Sequence, residues 1–146
     1  MAEAKVKLFL DASVLVASAK SLSGGSALVL QVCQGQKFQA VSTRKVLLEA
    51  QRNIKNKFSD DELVRFYCEI AGLNLEIIEP ATTEEIAQYF QVIASKDAHV
   101  LAAAIKGKAS FLITLDRKHF MTSVLVKSEL PISILTPGEF LQRLTL

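Results

Sequence analysis

The chain has 146 residues, half of them apolar, and its 17 Lys and Arg against 15 Asp and Glu give a formal net charge of +2. This length predicts one domain over residues 1–146 with its own core. The small net charge does not by itself indicate a polyanion partner, although it leaves room for a local basic cluster. Cys33 and Cys68 form no C-x-x-C motif, and no apolar run approaches the ~18 residues of a membrane span, so we expect a cytoplasmic protein with two buried, reduced cysteines.

Strands and helices alternate along the sequence. Short apolar runs predict five strands, in chain order over residues 7–10, 38–42, 75–78, 111–115 and 132–135. Apolar residues at helical spacing predict helices over residues 13–18, 27–33, 44–58, 60–72, 83–93, 96–106 and from 137 onward. This order predicts right-handed crossovers and a three-layer α/β/α sandwich around a mostly parallel central sheet.

Local signals mark where several of these helices begin and end. Two segments have the spacing of a capping box, Ser59–Glu62 and Thr82–Glu85. Thr43 is a candidate N-cap, and Thr136 precedes a proline at the first position of the last helix. Two glycines follow helical patterns and predict the helix ends at Gly72 and Gly107.

Two carboxylates directly follow predicted strands. Asp11 follows the first apolar run, and Asp116 follows the fourth. Because the carboxyl ends of parallel strands meet at one edge of a sheet, we expect these side chains to lie close together. Asp97 lies on the apolar stripe of its helix, in the first turn, and Glu49 lies on the margin of the apolar face of the third helix.

Each carboxylate alone has an ordinary explanation, such as a strand-end turn, a helix first turn or a solvated helix margin. A cluster of all four requires a divalent cation, because like charges held together repel each other. Oxygen ligands without a suitable Cys or His favour Mg²⁺ or Mn²⁺ over Zn²⁺. Such an ion suits phosphodiester hydrolysis, so the set predicts a nuclease.

Four segments, residues 8–13, 47–49, 96–104 and 112–120, resemble in order the four acidic motifs of PIN-domain proteins, and the chain looks most like the VapC-type toxins of toxin–antitoxin pairs. The resemblance implies a Mg²⁺- or Mn²⁺-dependent endoribonuclease. It assigns metal binding and water activation to Asp11, Glu49, Asp97 and Asp116. It also implies a homodimer and a cognate antitoxin protein lying across or near the acidic pocket.

The same resemblance assigns supporting roles to two hydroxyl residues. Ser13 and Thr114 match positions that orient the carboxylates or a water molecule. Alternatively, they are an ordinary helix-start serine and a strand threonine.

Cationic residues flank the third and fourth motifs. Lys96, Arg117 and Lys118 are candidates to hold the phosphates of an RNA strand, or else they form a solvated rim. We expect surface or capping roles for His99 and His119, which are single imidazoles on different elements. The sequence shows no aromatic-rich motif for stacking bases.

Three other functions share part of this sequence pattern. An aspartyl-nucleophile phosphatase normally has a second Asp two residues after the first, where this chain has Ser13. A receiver-like phosphoacceptor normally has an acidic pair after the first strand, and Asp11 has none. The remaining alternative is a catalytically silent PIN-like module that binds RNA or protein without cutting.

Overall fold

The computed structural model describes residues 4–144. Its strands are β1 (Val6–Leu10), β2 (Phe38–Ser42), β3 (Glu76–Ile77), β4 (Phe111–Ile113) and β5 (Ser133–Leu135). Its helices are α1 (Ala12–Lys20), α2 (Gly25–Cys33), α3 (Arg44–Lys57), α4 (Asp60–Leu73), α5 (Thr83–Ala87), α6 (Ser95–Lys106), α7 (Arg117–Phe120), α8 (Ser123–Val126) and α9 (Pro137–Leu144). The five strands form one sheet flanked by helices, which confirms the predicted α/β class.

The sheet has the strand order β3-β2-β1-β4-β5, and all of its pairings are parallel. The central strand β1 pairs with β2 on one side and with β4 on the other. The chain runs outward from β1 through β2 to β3, and then returns to the other side of β1 for β4 and β5. The direction of winding therefore reverses between β1 and β4, where open α/β sheets usually bind their ligands.

The core is built around β1. Leu8, Phe9 and Leu10 are 0% exposed, because helices cover both faces of a central parallel strand. At the far end of the chain, Phe140 of α9 packs edge-on against Phe38 and Phe111, with ring centroids 5.3 and 5.7 Å apart. These contacts hold the last helix against the sheet.

Several predicted boundaries were wrong. The helix expected over 83–93 ends at Ala87. Four-residue turns follow, such as the one closed by the hydrogen bond from the Tyr89 N–H to the Ile86 carbonyl. Aromatic and β-branched residues in that stretch weaken helix propensity. The helix expected to stop at Gly72 continues to Leu73, because Asn74 provides the left-handed residue at φ 55°.

The expected strands over 75–78 and 111–115 are shorter in the structure, with two and three residues. The edge strand β3 pairs only with the last part of β2. After β4 the chain leaves the sheet at Thr114 and forms α7 and α8, two short helices that were not predicted.

The cysteines differ in their environments. Cys33 is buried as expected, and burial raises the pKa of its thiol to about 12. Cys68 is exposed, so the prediction of two buried cysteines was wrong for this residue, which faces outward from α4. Among the described helices, none alone has the length and apolar character to cross a membrane, although α1 and α2 pass that test as a pair bent by 107°.

Close neighbours, and not its backbone angles, constrain Gly107. Its φ is −76°, and the next residue, Lys108, takes the left-handed conformation instead. A Cβ at Gly107 would lie 2.5 Å from Cδ1 of Ile78. By contrast, Gly72 is exposed inside α4, and a Cβ there would meet nothing within 4 Å.

The two glycines should therefore respond oppositely to alanine. Gly107→Ala should lower the free energy of unfolding by about 1–3 kcal/mol, because the new methyl group overpacks Ile78. Gly72→Ala should raise it by roughly 0.5–1 kcal/mol, because alanine is the better helix former. Urea titrations of both variants measure these changes, and an unchanged midpoint for Gly107→Ala would contradict the packing explanation.

Candidate metal and active site

The two predicted acidic residues that follow strands, Asp11 and Asp116, lie where the winding of the sheet reverses. Asp11 directly follows β1, and its backbone N–H donates to the carbonyl of Ile113 at the end of β4 (3.1 Å). Asp116 lies three residues after β4. The negative charge of Asp116 contributes to raising the pKa of Asp11. The parallel sheet therefore brings the two carboxylates together, as the sequence predicted.

Two hydroxyl groups connect the end of β1 to the loop after β4. Thr114, which is 0% exposed, donates from Oγ1 to Asp11 Oδ2 (2.7 Å) and accepts from the backbone N–H of Asp116 (3.1 Å). Ser13 Oγ donates to the same Asp11 oxygen (3.2 Å) and accepts from the N–H of Leu115 (3.0 Å). Each hydroxyl contacts one carboxylate and one backbone group across the two chain segments, so together they fix the position of Asp11.

Asp11 is a buried carboxylate with an incomplete set of partners. It is 7% exposed, and its other oxygen accepts from the N–H of Ala12 (2.9 Å), which caps α1. Burial raises the pKa of Asp11, while its hydrogen bonds to Thr114, Ala12 and Ser13 oppose that shift. Among the described residues, no Lys or Arg forms an ion pair with it.

Asp97 lies in the first turn of α6, with 17% of its side chain exposed. In the described part of the chain, its buried Oδ2 accepts no hydrogen bond, and Nζ of Lys96 lies 3.9 Å away. Burial raises the pKa of Asp97, Lys96 and His119 lower it, and Asp116 raises it. An unsatisfied buried carboxylate oxygen is costly, so this atom is a fitting ligand for a cation.

Glu49 lies at the outer side of the group, on the exposed face of α3. Partial burial raises the pKa of Glu49, and the negative charges of Asp11 and Asp97 raise it further. The positive charges of Lys45 and Arg52 on the same helix lower it. Each of the four predicted acidic residues therefore lies within electrostatic range of two of the others.

His119 joins this group, which the sequence analysis did not foresee. Its Nδ1 lies 2.8 and 3.0 Å from the two carboxylate oxygens of Asp116, and its backbone N–H donates to the same carboxylate (3.1 Å) at the start of α7. One ligand atom each from Asp97, Asp116 and His119 lies within 4.8 Å of the others. The spacing of three residues between Asp116 and His119 was the available signal.

His99 has a different environment. It is half-buried on α6, and burial, with a smaller contribution from Lys45, lowers the pKa of its imidazole to about 4. It lines a groove beside the acidic group together with Glu49. The structure thus places it at the edge of the site.

The predicted cations lie around the acidic group. Lys96 lies beside Asp97, Lys118 is exposed, and Arg117 lies 3.9 Å from Glu139. Three further cations, which were not predicted from the sequence, lie on α3 near Glu49. These are Arg44, Lys45 and Arg52.

The residues present fit a divalent cation. Several carboxylates converge with few compensating charges, and burial raises the pKa of three of them, Asp11, Glu49 and Asp97. Carboxylate oxygens suit Mg²⁺ or Mn²⁺, and one imidazole is compatible with Mn²⁺. A cation at this position would relieve the repulsion and satisfy the free oxygen of Asp97.

Comparisons with known proteins agree with this architecture. The structure resembles PAE2754 from Pyrobaculum aerophilum (TM-score 0.65, 17% identity, 96% of each chain covered). It also resembles the Mycobacterium tuberculosis protein VapC20, a sarcin-ricin loop cleaving toxin (TM-score 0.52, 13% identity, 86% of this chain and 98% of that chain covered). At these identities the likeness concerns the fold.

A search of curated proteins found no match to the sequence. A PIN-domain family model matches residues 7–118, which is most of the chain and includes all four acidic residues. PIN domains are generally nucleases, so this match supports a nuclease-like role. By its sequence and its fold, the chain belongs to the PIN-domain family.

Proposed function

We propose that this protein is an endoribonuclease that hydrolyses RNA phosphodiester bonds with Mg²⁺ or Mn²⁺. The observation that carries the proposal is the convergence of Asp11, Glu49, Asp97 and Asp116 where the winding of the sheet reverses. Such a cluster is costly without a cation, and it lies where α/β folds usually bind ligands.

The four carboxylates would hold the metal and position the attacking water. When bound, the ion lowers the pKa of water and stabilises negative charge on the phosphate. Glu49, whose pKa is raised and which reaches toward solvent, is suited to accept the proton of that water. Asp11 is held by three hydrogen bonds and is suited to a fixed ligand position.

Ser13 and Thr114 act as positioning residues in this proposal. Their hydroxyls donate to the same oxygen of Asp11 and leave its orientation little freedom. Groups that orient metal ligands in this way usually contribute about 10- to 100-fold to metal affinity or activity.

Lys96, Arg117 and Lys118 are proposed to contact the phosphates of the RNA on either side of the cleaved bond. Cations at the rim hold a polyanion without taking part in bond cleavage. Arg117 lies 3.9 Å from Glu139, at the outer limit of an ion pair, so it can turn toward a phosphate at little cost.

The biological role proposed is that of the toxin in a toxin–antitoxin pair, acting as a cytoplasmic homodimer whose antitoxin lies near the acidic site. Its supports are the sequence resemblance to VapC-type toxins and the similarity in fold to VapC20, which is a toxin. Light scattering measures the number of chains in the free protein, and a monomer at micromolar concentration would reject the dimer.

Cleavage of RNA should require the metal and the acidic residues. Purified protein should cut RNA in Mg²⁺ or Mn²⁺, and excess chelator should stop the reaction. Asp97→Ala should lower the rate by about 100-fold or more, because it removes a charge that acts only on the metal and the reacting groups. Gel analysis of a labelled RNA measures the products.

Asp60→Ala is the matched control, since Asp60 is also an aspartate in the first turn of a helix but is exposed on α4. It should cut RNA like the parent. Induced synthesis in a bacterial host should arrest growth with the parent and Asp60→Ala, and not with Asp97→Ala. Binding of RNA without any cleavage would favour the silent PIN-like module instead.

The acidic group should destabilise the metal-free fold. In chelator, Asp97→Asn should melt at or above the temperature of the parent, because the change removes repulsion and breaks no hydrogen bond at Oδ2 among the described residues. Mn²⁺ at 100 times its dissociation constant should stabilise the parent by about 2.7 kcal/mol and should not stabilise the variant. Thermal melts with and without Mn²⁺ measure both effects.

The pH dependence has a definite sign. The fold raises the pKa values of Asp11, Glu49 and Asp97. Their protonated forms therefore increase the free energy of unfolding at acidic pH, and this contribution is lost as pH rises through the raised pKa values. The advantage of Asp97→Asn in chelator should therefore grow from acidic to neutral pH. Asp60→Asn is the control, because it loses the same interaction with a helix dipole. Its melting temperature in chelator should be only slightly lower than that of the parent. If Asp97→Asn melted at a lower temperature than the parent in chelator at neutral pH, repulsion within the acidic group would be rejected as a source of instability.

Thr114→Val should impair catalysis through Asp11. The variant keeps the shape of the buried side chain but removes the hydroxyl between Asp11 and the N–H of Asp116. The rate should fall by about 10- to 100-fold, and more Mn²⁺ should be needed for half-maximal rate. Thr114→Ser should restore both. A loss of stability with an unchanged Mn²⁺ requirement would indicate a purely structural role.

A further inference from the structure

A groove of about 560 Å³ lies directly beside the acidic site, between α3 and α6. Four cations line it, and Glu49 is the carboxylate among its lining residues. The cations are Arg44, Lys45, Arg52 and Lys96. The chain as a whole carries only +2, so positive charge is concentrated here.

The cations on α3 are available for a ligand. Arg44, Lys45 and Arg52 are exposed, and they form no ion pair with any acidic residue that the structure describes. Some cations elsewhere are engaged, as with Lys106, which lies 3.0 Å from Glu85. The groove therefore presents charge that the fold itself does not neutralise.

The spacing of these residues on α3 forms a continuous path. Lys45, Glu49 and Arg52 are four and three residues apart, so they lie on one stripe of the helix, and Arg44 lies next to it. From Arg44 to Arg52 the helix rises about 12 Å, which corresponds to roughly three nucleotides of a stacked strand. The volume of the groove also suits a short segment of a ligand.

Glu49 belongs both to this groove and to the acidic site, so the positive path leads to the carboxylates. We propose that one strand of RNA lies in this groove, with its phosphates on Arg44, Lys45 and Arg52, and passes Glu49 to reach the acidic site. This inference rests on the proposed function. An acidic peptide could meet the same cations, but only a phosphodiester strand would also supply a substrate to the metal site at the end of the groove.

The recessed position of the site favours a single strand over a duplex. Asp11 is 7% exposed and the side chain of Asp97 is 17% exposed, so the backbone must enter between the elements that surround them. An unpaired segment can bend into such a site, while base pairing keeps the backbone of a duplex on a regular helical path.

The test compares two double variants that each remove two positive charges. Lys45→Gln/Arg52→Gln changes the groove. Lys37→Gln/Lys127→Gln changes exposed lysines outside it and is the matched control. Binding of a labelled single-stranded RNA oligonucleotide is measured by fluorescence anisotropy in chelator, so that no strand is cut, over a range of salt concentrations.

The groove variant should bind more weakly, and its slope of log affinity against log salt should be smaller by about 1.4, because each phosphate contact to a single strand contributes roughly 0.7. The control should keep the slope of the parent. In cleavage assays with Mn²⁺, the rise in KM of the groove variant should be larger than any change in its kcat, which reports the effect of the two lost charges on Glu49. Circular dichroism melts of both variants verify that they fold.

If the two double variants gave equal slopes of log affinity against log salt while the parent still cut RNA, binding of RNA in the groove would be rejected and the proposed function would stand. A parent that neither binds nor cuts RNA would overturn both. A labelled polyglutamate peptide that bound as tightly as RNA, with the same loss in the groove variant, would overturn RNA in favour of a protein partner. Equally tight binding of a duplex would overturn the single strand.

Discussion

Repulsion between buried carboxylates is the constraint that the rest of this site accommodates. Asp11 follows the central strand, and the chain covers it with two hydroxyls and a backbone N–H, which offset part of the cost of burying a charge. Within the described residues, the buried Oδ2 of Asp97 accepts no hydrogen bond, and the ammonium of Lys96 lies 3.9 Å from it. The apolar core around β1 supplies stability that offsets this repulsion.

The arrangement of charge around the site follows from the same constraint. The acidic group occupies the region between β1 and β4, and the cations of α3 lie beside it rather than inside it. Lys45 and Arg52 are near enough to lower the pKa of Glu49, but in the described part of the chain they form no ion pair with the inner carboxylates. A polyanion can thus be attracted to the groove, while the carboxylates remain free for a metal.

Much of the fold was predictable because its signals are local. The apolar run of β1, the caps at Thr43 and Thr136 and the capping box at Thr82 all act over a few residues, and the structure contains each of them. The errors arose where local signals compete. Gly72 is a plausible helix stop, but Asn74 two residues later provides the left-handed turn. The helix after Thr82 ended early because turn bonds replaced the helical ones.

The sequence by itself determined the α/β class and the order of the five strands and the longer helices, since periodicity depends on neighbouring residues. It also predicts the four acidic residues as a site, from their positions at strand ends and on helix faces. Only the tertiary structure decided how these residues meet. Thr114 bonds to Asp11 across 103 positions, and His119 joins Asp97 through the unpredicted helix α7. The groove likewise forms because α6 packs beside α3. Such contacts depend on the packing of distant segments, which no local pattern encodes.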